Sequence, residues 1–277
     1  MRVVMLGTGT FAEPTFEALL GRPGLVVGLF TQPDREGGQE RGSTRQTGRG
    51  MKSIAEEHRL PVYQPDRIRD SDSVDRLRSL EPDLLVVVAY GQILPAPVLA
   101  IPRLGALNVH ASLLPRWRGA APIARAILAG DRETGVSIMK MDEQLDHGPV
   151  LALRATPIGE REDAVELTTR LALMGAELLV QTLENFEALR AVAQDHAQAT
   201  LAPKVSKQEG GLEWSLDPRD IDRRVRGLQP WPGATLPTPR GRAKVLRGHV
   251  EGDRYVPDVV QLPGKKPASG KQVLGDV

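Results

Sequence analysis

Short apolar runs at residues 3–6, 26–31, 84–89 and 107–110 alternate with amphipathic stretches near 14–20, 51–59 and 74–80. Short runs that are wholly or mostly apolar read as strands, the unbroken ones buried on both faces, and the intervening spacing is helical. Strands and helices in this βαβα order close into a parallel sheet covered by helices. The expected class is therefore α/β: a Rossmann-like, mostly parallel sheet with helices on both faces. Ligands of such sheets sit beyond the carboxyl ends of the strands.

Further along, 121-APIARAILA-129 reads as a helix with proline in its first turn, and 135-GVSIMKMD-142 as the next strand. After a polar bend at 158–162, apolar residues recur at helical spacing over 163–190, with Asp163 near the helix start. Residues 191–206 carry little pattern. The stretch 212–277 is rich in proline and glycine, with β-prone runs at 243–246 and 255–260. The expected division is a catalytic domain at 1–190, a linker at 191–207 and a smaller β domain at 208–277. Trp214 and Trp231 are read as packing anchors of that last part.

Composition narrows the chemistry. The 277 residues include no cysteine, which excludes disulfides, thiol nucleophiles and thiolate-bound metals. No signal-peptide pattern opens the chain and no run of about 18 apolar residues occurs, so a cytoplasmic protein without membrane association is expected. Charge is segregated: residues 201–277 hold 14 basic and 9 acidic side chains, against 22 and 26 before them. That excess suits either a polyanionic partner or a solvated basic face.

The opening 7-GTGTFAEP-14 invites a dinucleotide reading, since Gly7 and Gly9 follow a strand and Asp34 closes the second one. Ala12 stands where the third glycine belongs and Pro14 opens the helix, so the two glycines fit a tight turn better. The five histidines, 58, 110, 147, 196 and 249, show no metal-binding spacing, and no catalytic metal is expected.

The segment 107-LNVHASLLPRWRGAAP-122 carries more. A strand period of two puts Asn108 and His110 on one face. A lone histidine there is usually hydrogen-bonded into its loop, but 142-DEQLDHGPV-150 ends another strand and turns Asp146 back over the sheet edge. An amide, an imidazole and a carboxylate make an acyl-transfer set. Asn108 is suited to stabilise an oxyanion, His110 to shuttle a proton, and Asp146 to orient the ring and keep it protonated enough to act as an acid. Ser112 lacks a nucleophile elbow and reads as a loop hydrogen-bonding residue.

The blocks 108-NVHASLLPRWRGAAPI-123 and 134-TGVSIMKMDEQLDHGPVL-151, with FTQPDR (30–35), VVVAYGQILP (86–95), LAPKVSKQEGGLEWS (201–215) and RGLQPWPGA (226–234), resemble the formyltransferases that use 10-formyltetrahydrofolate. The likeness is greatest to those acting on methionyl-tRNA. It implies formyl transfer from that folate to the amine of initiator methionyl-tRNA, through Asn108, His110 and Asp146, in a monomer. It further implies a folate site formed by Tyr90, Gly91, Ile93, Leu94, Pro95, Ser112, Leu113, Leu114, Pro115, Met139, Met141 and Asp142. The Asn-x-His and Leu-Asp-x-Gly core is shared with enzymes that formylate amino-sugar nucleotides or hydrolyse the folate, so it fixes the chemistry and leaves the acceptor open. A non-catalytic folate- or RNA-binding module is the reading from another class.

By the same resemblance the loop 35–52 meets the tRNA acceptor stem through Arg35, Arg41, Arg45 and Arg49, and the affinity falls steeply with salt. Lys204, Lys207, Arg223, Arg224 and Arg226 are the basic candidates further on. The loop departs from the family in ending RGMK. The second domain departs too: the family has an OB-like barrel, and the seventy residues 208–277 imply a shortened one with weaker tRNA binding.

Overall fold

The computed structural model describes residues 1–34 and 48–274. The strands are β1 Val3–Gly7, β2 Val26–Phe30, β3 Val62–Tyr63, β4 Leu84–Val88, β5 Ala106–His110, β6 Arg118–Gly119, β7 Glu133–Lys140, β8 Val150–Pro157, β9 Leu201–Ala202, β10 Ala234–Thr238, β11 Gly241–Glu251, β12 Arg254–Gln261 and β13 Ala268–Ser269. The helices are α1 Glu13–Leu20, α2 Met51–Glu57, α3 Ser71–Ser79, α4 Ala96–Leu99, α5 Pro122–Ala129, α6 Ala164–Glu184, α7 Pro218–Gly227 and α8 Gly270–Leu274. The chain forms two compact units: Met1–Arg118 with Gly135–Thr156 and Thr168–Leu201, and Gly119–Thr134 with Pro157–Leu167 and Ala202–Val277.

The first unit is built on a sheet in the order β3-β2-β1-β4-β5-β7-β8. The first five strands are parallel, and β7 runs antiparallel to β5. Every residue of β1 and β4 is buried, which is why VVMLG and LLVVV read as unbroken apolar runs. A methyl at Gly7 would lie 3.0 Å from the Ala12 Cβ and 2.8 Å from the Met5 Cε, so Gly7 serves close helix packing. Asp34 is committed elsewhere, its carboxylate accepting from the Gln64 amide at 2.9 Å and the Lys52 ammonium at 3.0 Å. Those two bonds, Gln64 first, hold its pKa below the ordinary carboxylate value. Gly7 is thus used for packing, Gly9 has the positive φ of a tight turn at 75°, and Asp34 is engaged by Gln64 and Lys52.

Helix α6 starts where its sequence directs. The Asp163 carboxylate accepts from the Val165 and Glu166 amides at 2.9 Å, and the Glu166 side chain accepts from the Asp163 amide at 3.1 Å. The helix ends at Glu184, short of the expected 190. Beyond it the Asn185 side chain bonds the Gln181 carbonyl and turns the chain, although Phe186 and Leu189 continue the helical spacing that set the longer expectation. A methyl at Gly175 would meet the Val109 side chain at 2.8 Å, so the bare backbone here lets α6 press on β5, the strand carrying Asn108 and His110. Strand β8 was not anticipated, because its alternating exposure follows an apolar run too short to separate from a loop.

The second unit holds the four-stranded antiparallel sheet β10-β11-β12-β13. Its core gathers Leu212, Ile221, Val225, Leu236, Val245, Tyr255 and Val260, with Trp214 packed against it and donating its indole N–H to Pro237 at 2.8 Å. Trp231 corrects the sequence reading: half of it is exposed, so it is no packing anchor. Residues 119–134 fold with this unit, where α5 packs on α7 across the small surface of Gly227. Among the described residues no helix is long and apolar enough to cross a membrane.

Arg125 grips Glu209 through both carboxylate oxygens, at 2.6 and 3.2 Å, and the Ser206 amide adds a third bond at 2.7 Å. The Arg125 guanidinium is the main reason the Glu209 carboxyl is held down at about 2, from an ordinary 4.5. A folded-state value below the unfolded one stabilises the protein above the unfolded value, and the gain is lost as pH falls toward about 2. Glu209→Gln is expected to cost roughly 1–2 kcal/mol at pH 7, allowing for solvent screening of a partly buried pair. The difference from the parent should vanish near pH 2. Urea unfolding across that range checks it, and a pH-independent difference would refute the assignment.

Candidate active site

The alternation of β5 turns Asn108 and His110 to the same face, and its pairing with β7 sets Asn108 opposite Met139 and His110 opposite Ser137. From the far end of β7 the chain turns through 142–149, and Asp146 returns to both residues. The Asn108 amide donates to Asp146 Oδ1 at 3.2 Å, and His110 Nδ1 lies 3.7 Å from Asp146 Oδ2. All three expected catalytic residues thus meet at the carboxyl end of β5. His110 is 5 % exposed.

The tautomer follows from the other ring nitrogen. His110 Nε2 lies 2.9 Å from the Trp117 carbonyl, which only accepts, so Nε2 carries the hydrogen. Nδ1 is then the basic nitrogen, and it faces Asp146. Beside Asp146, which the sequence reading had orienting the ring, the Trp117 carbonyl also holds it, at Nε2, while Asp146 faces Nδ1. Asp146 itself has a φ of 46°, a left-handed backbone that side chains rarely adopt and that its surroundings must hold.

The expected folate residues fall into two groups. Tyr90 and Leu94 point into the apolar core, while Gly91 and Ile93 are exposed, Ile93 at 84 %, and Pro95 is half-buried. Burial pushes the Tyr90 phenol to a higher pKa, which keeps it neutral. Ser112 is fully buried; its hydroxyl donates to the Arg116 carbonyl at 2.5 Å, and its own carbonyl accepts from the Ser137 hydroxyl. Leu114 and Met139 share a small buried cluster, with Leu113, Pro115 and Met141 partly exposed. Asp142 bonds His147 Nδ1 at 2.7 Å. Leu145, the leucine of the Leu-Asp-x-Gly core and on the same turn as Asp146, is an exposed apolar residue.

Two matches decide the family. Residues 1–183 match the model described as formyl transferase, and 204–265 match the formyl transferase C-terminal domain. The chain belongs to the formyl transferase family. It is 49% identical to the methionyl-tRNA formyltransferase of Methylococcus capsulatus, over 84% of this chain and 76% of that one. It is 48% identical to that of Magnetococcus marinus, over 99% and 94%. A solved methionyl-tRNA formyltransferase from Clostridium thermocellum has the same fold, with a TM-score of 0.66 at 14% identity, covering 97% of this chain and 99% of that one.

Among the basic residues, Arg35, Arg41 and Arg45 lie outside the described residues. Arg49 pairs with Glu17 at 2.8 Å and with Glu57. Lys204 and Lys207 are exposed. Arg226 is held by Asp222 at 2.8 Å and Arg223 by Asp220 at 3.2 Å, and Arg224 reaches the Glu209 carbonyl at 3.5 Å. Sequence reasoning missed the residues behind the site. Arg118 and Gln194 are both buried and bonded to each other, and Thr200 binds the loop that carries Trp117. Arg118 lay inside the quoted PRWRGAAPI block, whereas no local pattern marked Gln194 or Thr200.

Proposed function

We propose that this chain transfers the formyl group of 10-formyltetrahydrofolate to the α-amino group of methionyl-initiator tRNA. The convergence of Asn108, His110 and Asp146 at one strand end carries the reading, and the methionyl-tRNA formyltransferases to which the chain is similar support the acceptor. The attacking nitrogen belongs to the substrate, so no serine or cysteine of the chain need act as the nucleophile.

Formyl transfer forms a carbon–nitrogen bond to the amine, breaks the one to folate nitrogen, and moves one proton from the first nitrogen to the second. Asn108 has two amide hydrogens; one holds Asp146, and the other is directed to the negative oxygen that develops on the formyl carbon. The basic His110 Nδ1 takes the proton from the amine, and Asp146 beside it stabilises the imidazolium. The same nitrogen returns the proton to the departing folate. Exposed Ile93 and Leu145 offer apolar surface for the flat donor, and Met139, Met141, Leu114 and Asp142 border the same strand ends. Arg35, Arg41, Arg45, Lys204 and Lys207 are assigned to tRNA phosphates; Arg49 must first leave Glu17 and Glu57 to join them.

Formyl transfer from 10-formyltetrahydrofolate should be followed with methionyl-tRNA, with an amino-sugar nucleotide, and with no acceptor. Product on the tRNA is the expected result. Product on the sugar alone, or folate hydrolysis alone, would leave the site chemistry standing and overturn the acceptor.

A further inference from the structure

His110 and Asp146 stand 3.7 Å apart, beyond a hydrogen bond, so no mutual bond sets their separation. Asn108 holds one Asp146 oxygen from the same strand, and the loops beside His110 and around Asp146 are both tied to the segment between α6 and β9. We propose that Gln194 and Thr200 on this segment are positioning residues that fix the gap between His110 and Asp146. The proposal rests on reading these two as the proton-transfer pair.

On the Asp146 side, the Gln194 amide nitrogen donates both hydrogens to the turn, to the Asp146 carbonyl at 2.9 Å and the Gly148 carbonyl at 2.7 Å. Its oxygen accepts from Arg118 Nε at 3.1 Å and from a terminal guanidinium nitrogen at 2.6 Å. An arginine has only donors, so this grip fixes which way the amide faces. Gln194 and Arg118 are each 8 % exposed, and every polar position of the amide is in use. One of the carbonyls it holds belongs to Asp146 itself, whose left-handed backbone relaxes unless something restrains it.

On the His110 side, the Thr200 hydroxyl accepts from the Trp117 amide at 2.9 Å and the Thr200 carbonyl from the Arg118 amide at 2.8 Å. Trp117 is also left-handed, with a φ of 62°, and its carbonyl holds the His110 ring at Nε2. Between the two anchors lies a single 3-10 turn, His196–Gln198, capped by the Asp195 carboxylate, which accepts from the Ala197 amide at 3.1 Å. Arg118 also donates to His196 Nδ1 at 2.9 Å. A capped turn with a bonded residue at each end is a spacer of fixed length. It holds the Trp117 and Asp146 loops in register, and a shift on the order of 1 Å in such a pair costs about a hundredfold in rate.

The test compares Gln194→Met, Thr200→Val and Thr200→Ser, with Gln194→Met also placed in an Asp146→Asn background. Gln194→Met and Thr200→Val should each lower kcat about ten- to hundredfold, with KM for both substrates within about twofold of the parent. Thr200→Ser, which keeps the hydroxyl, should recover to within about threefold. Once Asp146 is already disabled, Gln194→Met should add less than about twofold, because its effect runs through that residue. Full additivity, a loss confined to KM, or failure of serine to rescue would each overturn the brace. If Gln194→Met fails to fold, the Thr200 pair decides alone. Undiminished kcat in Asp146→Asn would instead overturn the catalytic reading, and the brace with it.

Discussion

His110→Asn is expected to lower kcat for formyl transfer by about 10²- to 10⁴-fold, the usual worth of a positioned acid–base group, while methionyl-tRNA still binds. Asparagine keeps a polar group near the position of Nδ1 but has nothing that titrates, so the proton leaving the amine has no carrier. The shorter side chain also abandons the Trp117 carbonyl, 2.9 Å from Nε2 in the parent. Leaving that group unsatisfied costs about 1–3 kcal/mol, so the melting temperature should drop modestly without loss of fold. Steady-state kinetics with both substrates, run beside thermal melting, separate the two effects. Retention of more than about a tenth of the parental kcat would remove His110 from the chemistry.

Gly148→Ala is expected to have the second-largest effect, and it acts without touching a catalytic atom. The added methyl would lie 2.0 Å from the Lys140 carbonyl oxygen and 3.1 Å from its carbon, both backbone atoms at the end of β7. Backbone in a sheet cannot swing aside as a side chain can, so the turn carrying Asp146 must lift. That movement strains the two bonds from Gln194 and carries the Asp146 carboxylate away from Asn108 and His110. A fall in kcat of about a hundredfold and a destabilisation of about 1–3 kcal/mol are expected together. Kinetics and urea unfolding on the same preparation would show it. An alanine variant with parental activity would mean that contact with β7 does not set the turn.

The residues legible in sequence were those whose placement follows from local spacing. Asn108 and His110 share a face because a strand alternates, and Asp146 was found because a turn follows β7. The partner of each His110 ring nitrogen was not legible. That pairing depends on the Trp117 carbonyl, seven residues away along a loop whose backbone is left-handed at Trp117. The long α6 was legible at its start, where Asp163 and Glu166 cap it, and not at its end, where apolar spacing outlasts the helix.

The sequence by itself determined the parallel sheet, since runs such as LLVVV have no polar face to give to water, and it determined the three groups at the end of β5. Tertiary structure alone decided how those groups are held apart. Gln194 and Thr200 sit in a stretch with no hydrophobic period, and their partners are 46 to 48 and 83 residues distant, so no local pattern reports them. Hydrogen bonds between segments remote in the chain leave no spacing to read, whereas burial within one strand writes itself into every residue.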